Sequence, residues 1–304
     1  MRYMKRIGVV VKDQNKKNKP LVPTSGGFAV LIGVLAGLMF VIFILTFFFG
    51  TSTRLIYILA ASTSILIITF VGFIDDLLIR KSKLSSAGLR QWQKPLLTLA
   101  AAVPLMVVNA GTHNIWIPLI GRVELGLIYP LVLIPLIVVG AANMVNMLAG
   151  FNGMESGMGI IYIFMLGLYA YVNKAENATV IAAVVLGSLI AFYYFNKYPA
   201  KILPGDSLTY LLGGALGSIA ILGNIEKAAF IVSIPFFIEF LLKARGRFKK
   251  ETIGYWKNGK VQSKYDKIYS IPHILTITGK FTEKQITYFM IVVELIFASL
   301  IWII

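Results

Sequence analysis

The residues of this chain best suited to chemistry are few, and they sit where apolar segments end. Asp75 and Asp76 follow the apolar stretch Ile65 to Ile74. Asn143, Asn146 and Asn152 come after a second stretch, Leu125 to Gly140, and Asp206 opens a third within Pro204–Gly205–Asp206–Ser207. Acids and amides converging with lysines suit phosphate chemistry. Magnesium prefers octahedral oxygen ligands, usually one or two carboxylates completed by waters and substrate phosphates. Asp206 with Asn146 can supply such a partial shell and leave positions open for a diphosphate. Asn143 and Asn146, three residues apart, share one face of a helix. Lysines offset phosphate charge as the transition state forms. No His or Cys cluster points to zinc; with 0 Cys in the chain, disulfides and thiolate metal sites are excluded.

Each of these residues also has a plainer reading. Asp206, after Pro204–Gly205, fits the N-cap of the helix that follows. Asp75–Asp76 fits an interfacial carboxylate pair facing Lys81 and Lys83. Asn143 and Asn146 fit interhelical hydrogen bonding. His113 reads as an outer-loop residue, and Glu239 and Glu294 lie in or near apolar spans, where acids pair internally.

The elements that must position these groups are membrane helices. The chain has 304 residues, 58% of them hydrophobic, and a mean hydropathy of +0.80, too apolar for a soluble domain of this size. Nine apolar runs, roughly 26–49, 55–74, 95–110, 125–142, 157–173, 178–195, 207–223, 227–242 and 286–304, approach or exceed the length that crosses a hydrocarbon core of about 30 Å. Bilayer backbone must satisfy its own hydrogen bonds, so helices are expected. The fold class read here is therefore all-α and polytopic, with about nine transmembrane helices in one domain, 1–304. The basic, polar start from Met1 to Pro20 is not an apolar leader. No internal repeat is visible, which weighs against transporter folds built from duplicated halves.

Nine spans sort the 29 Lys and Arg residues into 25 on one face and four on the other (Arg54, Arg122, Lys174 and Lys227). The positive-inside rule makes the first face cytoplasmic. All the polar clusters fall on that face, together with the 243–285 loop, which makes one shared site the economical reading. The net charge of +16 also fits attraction of the 245–267 segment to anionic lipid headgroups.

The motifs then match a known family. Lys12 to Lys16 leading to Val22–Pro23–Thr24–Ser25–Gly26–Gly27, Gly72 to Asp76, the NxxNxLAGxNGxE run from Asn143 to Glu155, and Lys197 to Ser207 occur in family order. The chain resembles the polyprenyl-phosphate N-acetylhexosamine-1-phosphate transferases. Ala149, where the bacterial wall-precursor enzymes carry Asp, and a lone His273 in place of a His cluster make it more similar to the UDP-GlcNAc–dolichyl-phosphate branch, in an archaeal-like form. Thr24 stands where that branch has an acid. The family has ten spans, so the resemblance implies that the first is missing here.

The resemblance implies that a polyprenyl or dolichyl phosphate attacks the β-phosphorus of UDP-GlcNAc, releases UMP and opens lipid-linked oligosaccharide synthesis for N-glycosylation. It implies Mg2+, with Mn2+ as a substitute, on Asn146 and Asp206, and catalytic roles for Asp75 and Asp76. Substrate contacts fall to Lys12, Asp13, Gln14, Thr24, Lys94, Asn143, Gly150, Phe151, Asn152, Leu203 and His273, with 243–285 as the substrate-recognition loop. The implied setting is a multi-pass cell-membrane enzyme surrounded by lipid, with a homodimer as one assembly state and no nucleic-acid partner. The competing readings are an undecaprenyl-phosphate transferase of cell-wall polymer synthesis and a transporter of lipid or nucleotide sugar.

Overall fold

A computed structural model describes residues 2–6, 8–50, 53–82, 88–117 and 121–303, without the side chains of residues 2, 3, 53, 80–82, 116, 117 and 122. In chain order come α1 (Arg2–Arg6), β1 (Val10–Lys12), β2 (Leu21–Pro23), α2 (Gly27–Phe47), α3 (Thr53–Ser82), α4 (Gln93–Leu99) and α5 (Val103–Val107). Then follow β3 (Asn114–Ile117), β4 (Gly121–Glu124), α6 (Ile134–Met147), α7 (Met154–Val172), α8 (Glu176–Asn196) and α9 (Gly205–Gly223). The last part holds α10 (Glu226–Val232), α11 (Ile234–Arg245), β5 (Tyr255–Lys257), β6 (Lys260–Gln262), α12 (His273–Thr276) and α13 (Glu283–Ser299). The strands form only three small antiparallel hairpins, so the architecture is all-α.

Among the described residues, seven helical segments are long and apolar enough to cross a membrane. The other two expected spans, 95–110 and 227–242, are helical but interrupted. A 3-10 turn, Ala100–Ala102, joins α4 to α5, with a proline in the first turn of α5. Ser233 separates α10 from α11, whose first turn holds Pro235; a proline there lacks the N–H that would continue the ladder. The expected span 55–74 is too short: α3 runs to Ser82 because Leu77, Leu78 and Ile79 prolong its apolar face. Asp75 and Asp76 therefore lie inside a helix rather than in the loop after it.

The buried centre is α9, whose residues from Ser207 to Ile221 are all buried. It packs against α3 on one side and α6 on another. A Cβ at Gly213 would overlap the backbone of Ala142, so glycine sets the closeness of α9 to α6. The bundle has two chemically distinct ends. At one, Arg54 pairs with Glu176 and the Tyr129 hydroxyl bonds Glu226. At the other, the ends of α3, α6, α8 and α11 meet the starts of α2, α4, α7, α9 and α13, and the polar clusters collect there.

Candidate active site

Neighbouring residues on a helix point about 100° apart, and α3 uses this to aim two carboxylates at different partners. Asp75 faces α4: its Oδ1 accepts the Leu89 N–H at 2.5 Å, and its Oδ2 lies 2.5 Å from Lys94 Nζ. That Oδ2 is buried and has no partner in hydrogen-bond geometry. Asp76 faces α9. Its Oδ1 accepts the Asp206 N–H at 2.7 Å, and its Oδ2 accepts the Ser207 hydroxyl at 2.9 Å and the Ser207 N–H at 3.3 Å. The first turn of a helix presents N–H groups without intrahelical partners, and Asp76 satisfies two of them from across the interface. Asp206 thus does not cap its own helix. The cap comes from α3, and Asp206 is left free to face the site. The approach is close enough that a Cβ on Gly72 would overlap the Asp206 carbonyl.

Lys94 joins the two free carboxylates, with its Nζ also 3.1 Å from Asp206 Oδ2. Among the described residues it is Lys94 that faces Asp75; the Lys81 side chain and all of Lys83, the partners expected from the sequence, lie outside the described residues. Asn146 donates to the Thr209 hydroxyl at 3.0 Å, which donates to the Asp206 carbonyl at 3.1 Å, and Asn146 also interacts with the Asp206 carboxylate. Two acids around one ammonium, with Asp76 beside Asp206, leave an excess of acidic groups in a place of low dielectric. The available donors are carboxylate, amide and hydroxyl oxygens, the set a hard divalent cation prefers. Among the described residues no group of three or more His, Cys, Asp and Glu is arranged to hold a metal.

Asp206 lines one wall of a cavity of about 730 Å³, within the usual range for small-molecule sites. Ten of the residues read from the sequence border it: Lys12, Asp13, Gln14, Thr24, Asp76, Gly150, Phe151, Asn152, Leu203 and Asp206. Asp75, Lys94 and Asn146 stand behind that wall, in contact with Asp206. Two expected substrate contacts are placed elsewhere. Asn143 spends its amide on Thr98 Oγ1 (3.1 Å) and the Val139 carbonyl (2.8 Å), tying α6 to α4. His273 is fully buried and holds the last loop together: its Nδ1 accepts the Tyr269 N–H at 3.2 Å and its Nε2 lies 3.1 Å from the Glu251 carbonyl. Those partners require the neutral tautomer with hydrogen on Nε2, and burial pushes its pKa down from 6.5 to about 4.

The floor contains residues the sequence reading passed over. Asn152 accepts from Lys16 Nζ and the Ala200 N–H, both at 3.0 Å, and donates to Asp13 at 3.1 Å. Its backbone N–H bonds Glu283 at 2.9 Å, and Glu283 also pairs with Lys16. Asn15 bridges the Gly150 carbonyl (2.8 Å) and the Gly254 N–H (3.3 Å), so the β1–β2 connection is stapled to both sides of the cavity. Glu155 holds the Gly150 N–H at 2.7 Å, and Gly150 itself adopts φ +141°, a conformation suited to glycine. Asn15, Lys16 and Glu155 were visible as members of the quoted motifs. Glu283 carried no signal beyond a helix start, since its proximity to Asn152 is purely tertiary.

A second, mostly apolar cavity of about 890 Å³ lies between α6, α9 and the broken α10–α11 pair, from Met144 to Asn224 and Glu226.

Residues 58–224 match the model of glycosyl transferase family 4. A Saccharolobus solfataricus protein provisionally named UDP-N-acetylglucosamine–dolichyl-phosphate N-acetylglucosaminephosphotransferase is 36% identical over 98% of this chain and 88% of its own length. A Sulfolobus acidocaldarius protein of the same provisional name is 33% identical over 97% and 88%. The phospho-N-acetylmuramoyl-pentapeptide-transferase of Lactobacillus helveticus is 32% identical over 76% and 71%. The match spans the helices that carry Asp75, Lys94, Asn146 and Asp206, and the chain belongs to glycosyl transferase family 4.

Proposed function

We propose that this membrane protein transfers GlcNAc-1-phosphate from UDP-GlcNAc to a polyprenyl phosphate of the dolichyl type. The observation that carries the reading is Asp206 on the wall of the 730 Å³ cavity, with Lys94 bridging it to Asp75 behind that wall. Likeness over nearly the whole chain to proteins named for this reaction supports it.

A phosphate oxygen of the acceptor lipid forms a bond to the β-phosphorus of the donor, and the bond from that phosphorus to the bridging oxygen breaks. UMP leaves and a lipid-linked diphosphate remains. Lys94 supplies a compact positive charge to phosphate oxygens, stronger for the charge that builds in the transition state. Asp76 is committed to capping α9, so Asp75, whose buried Oδ2 is held by Lys94 and not by a helix start, is the member of the pair able to take a proton from the acceptor phosphate. Asp206 and Asn146 are the residues that would hold Mg2+, with Mn2+ as a substitute, because their oxygens suit it. When bound, the ion neutralises diphosphate charge and orients the leaving group. The cavity floor from Gly150 to Asn152 and the β1–β2 hairpin with Lys12 to Gln14 and Thr24 would enclose the nucleotide. The second cavity, mostly apolar and between spans, would suit the acceptor's apolar tail.

The basic excess on the site end argues that this end faces the cytoplasm. The undecaprenyl alternative rests on the bacterial relatives, whose likeness covers less of the chain. Ala149, on the cavity wall, leaves out the acid expected for that branch. Purified protein should form labelled lipid from UDP-GlcNAc and dolichyl phosphate and release UMP in equal amount. Turnover confined to an undecaprenyl acceptor or a different sugar nucleotide would refute the assignment, and uptake without UMP release would favour a transporter.

A further inference from the structure

Beside the site, two turns that are far apart in sequence are locked together at the level where helices leave the apolar layer. Gln91, just before α4, donates its amide to the Phe248 carbonyl at 2.5 Å. Phe248, just after α11, packs on Phe240 with ring centroids 5.6 Å apart. Arg247 and Phe248 both hold positive φ, +54° and +56°, which is costly for side chains of that size and persists only when the surroundings fix it. The bond brings the chain neighbours Arg90 and Arg247 together, both exposed, with Arg245 and Lys249 alongside.

Among the described residues no ion pair balances this charge: Arg90, Arg247 and Lys249 make none. The sequence from Leu77 to Val123 contains no acid, nor does that from Phe240 to Lys250, and Glu251 is taken by Lys264 at 2.5 Å. Trp92, 63% exposed, projects beside Arg90; an exposed Trp at a helix start is typical of the headgroup layer. Lys94, one helical turn beyond Arg90, is already in the site, its N–H bonded to the Arg90 carbonyl at 3.3 Å.

We propose that Arg90, Trp92, Arg245, Arg247, Phe248 and Lys249 form a docking patch for the phosphate headgroup of the acceptor lipid, which is held there before passing to Lys94. This rests on the transferase reading above and adds the route by which the anionic substrate reaches the site along the membrane surface. The patch acts on capture and not on the chemical step, so it belongs in the acceptor's KM.

The test is acceptor kinetics in neutral-lipid vesicles, with the acceptor expressed as mole fraction. Arg90→Gln with Arg247→Gln should raise acceptor KM about fivefold per charge removed, with kcat and the KM of UDP-GlcNAc within twofold of wild type. Arg90→Lys with Arg247→Lys should restore the low KM, because capture needs charge rather than a planar fork. Lys5→Gln with Arg6→Gln, on α1, removes equal charge at the same end and should change nothing. In the unaltered protein, acceptor KM should rise with salt. The patch is overturned if the Gln pair leaves KM unchanged, if the α1 pair raises it equally, or if wild-type KM is flat with salt. A wild-type protein that forms no lipid-linked product overturns the transferase reading instead.

Discussion

The two adjacent carboxylates of α3 should fail in different ways when each is made an amide. Asp76 is 3% exposed and accepts three hydrogen bonds from the start of α9. Asp76→Asn replaces one accepting oxygen by an NH2 group that must then point at N–H or O–H donors. Bonds to a buried charge contribute about 1.5–3 kcal/mol each, so losing one or two should cost about 1.5–6 kcal/mol. Asp206 would also lose the fixed backbone that aims it, and transfer should collapse along with stability. Asp75→Asn removes the ion pair to Lys94 but leaves an oxygen for the Leu89 N–H, and touches no helix cap. That variant should stay folded and lose turnover. Thermal unfolding of both in one detergent, at one scan rate, separates them: a drop on the order of 5 °C or more for Asp76→Asn and a much smaller one for Asp75→Asn. Equal midpoints for Asp76→Asn and wild type would refute the capping role, whatever happens to activity.

Lys94→Ala should cut kcat/KM at least tenfold, roughly 1.4 kcal/mol, because it removes the charge between two carboxylates; kinetics within twofold of wild type for both substrates would return Lys94 to a membrane-anchoring role. His273 should give stability a pH dependence of known sign. Its folded pKa of about 4 lies below the ordinary value of 6.5, so above pH 6.5 both states are neutral. As pH falls from 6.5 towards 4 the unfolded chain takes the proton first, and up to about 3 kcal/mol of stability is lost. His273→Gln should flatten that part of the unfolding profile, and an unchanged slope would contradict the buried neutral ring. Cysteines introduced at Ser263 and after Ile304 report orientation, since the chain has 0 native Cys. An impermeant thiol reagent added to intact cells should label the second and spare the first, and the reverse pattern would invert the topology.

The sequence made the segment-end acids legible because carboxylates are conspicuous in apolar surroundings. It also fixed which residues would share an end, since span parity alone decides that. Partner choice was not legible. Nothing local distinguishes Asp75 from Asp76; only the helix rotation and the approach of Gly72 to α9 give one an ammonium and the other a helix start. Asp206 looked like a cap for the same reason: local spacing suits it, and the competing cap arrives from residues 130 positions away. Asn143 shared a face with Asn146 as expected, yet Thr98 lies nearer than the cavity does. The family resemblance implied a substrate contact for His273, whereas the fold uses both ring nitrogens on backbone groups. The interrupted spans followed from Pro104 and Pro235, whose effect on continuity a hydropathy run does not register.

Phosphoryl transfer at the polar end of this bundle is proposed to run through Asp206. Its most direct test is UMP release by purified wild-type protein and Asp206→Asn, side by side, with UDP-GlcNAc, dolichyl phosphate and magnesium in detergent. The variant keeps the backbone N–H that Asp76 caps, so it should purify as a folded protein. The wild type should give stoichiometric UMP and lipid-linked product, and Asp206→Asn should lose at least a hundredfold in rate, about 3 kcal/mol. Turnover of the folded variant close to wild type would contradict it.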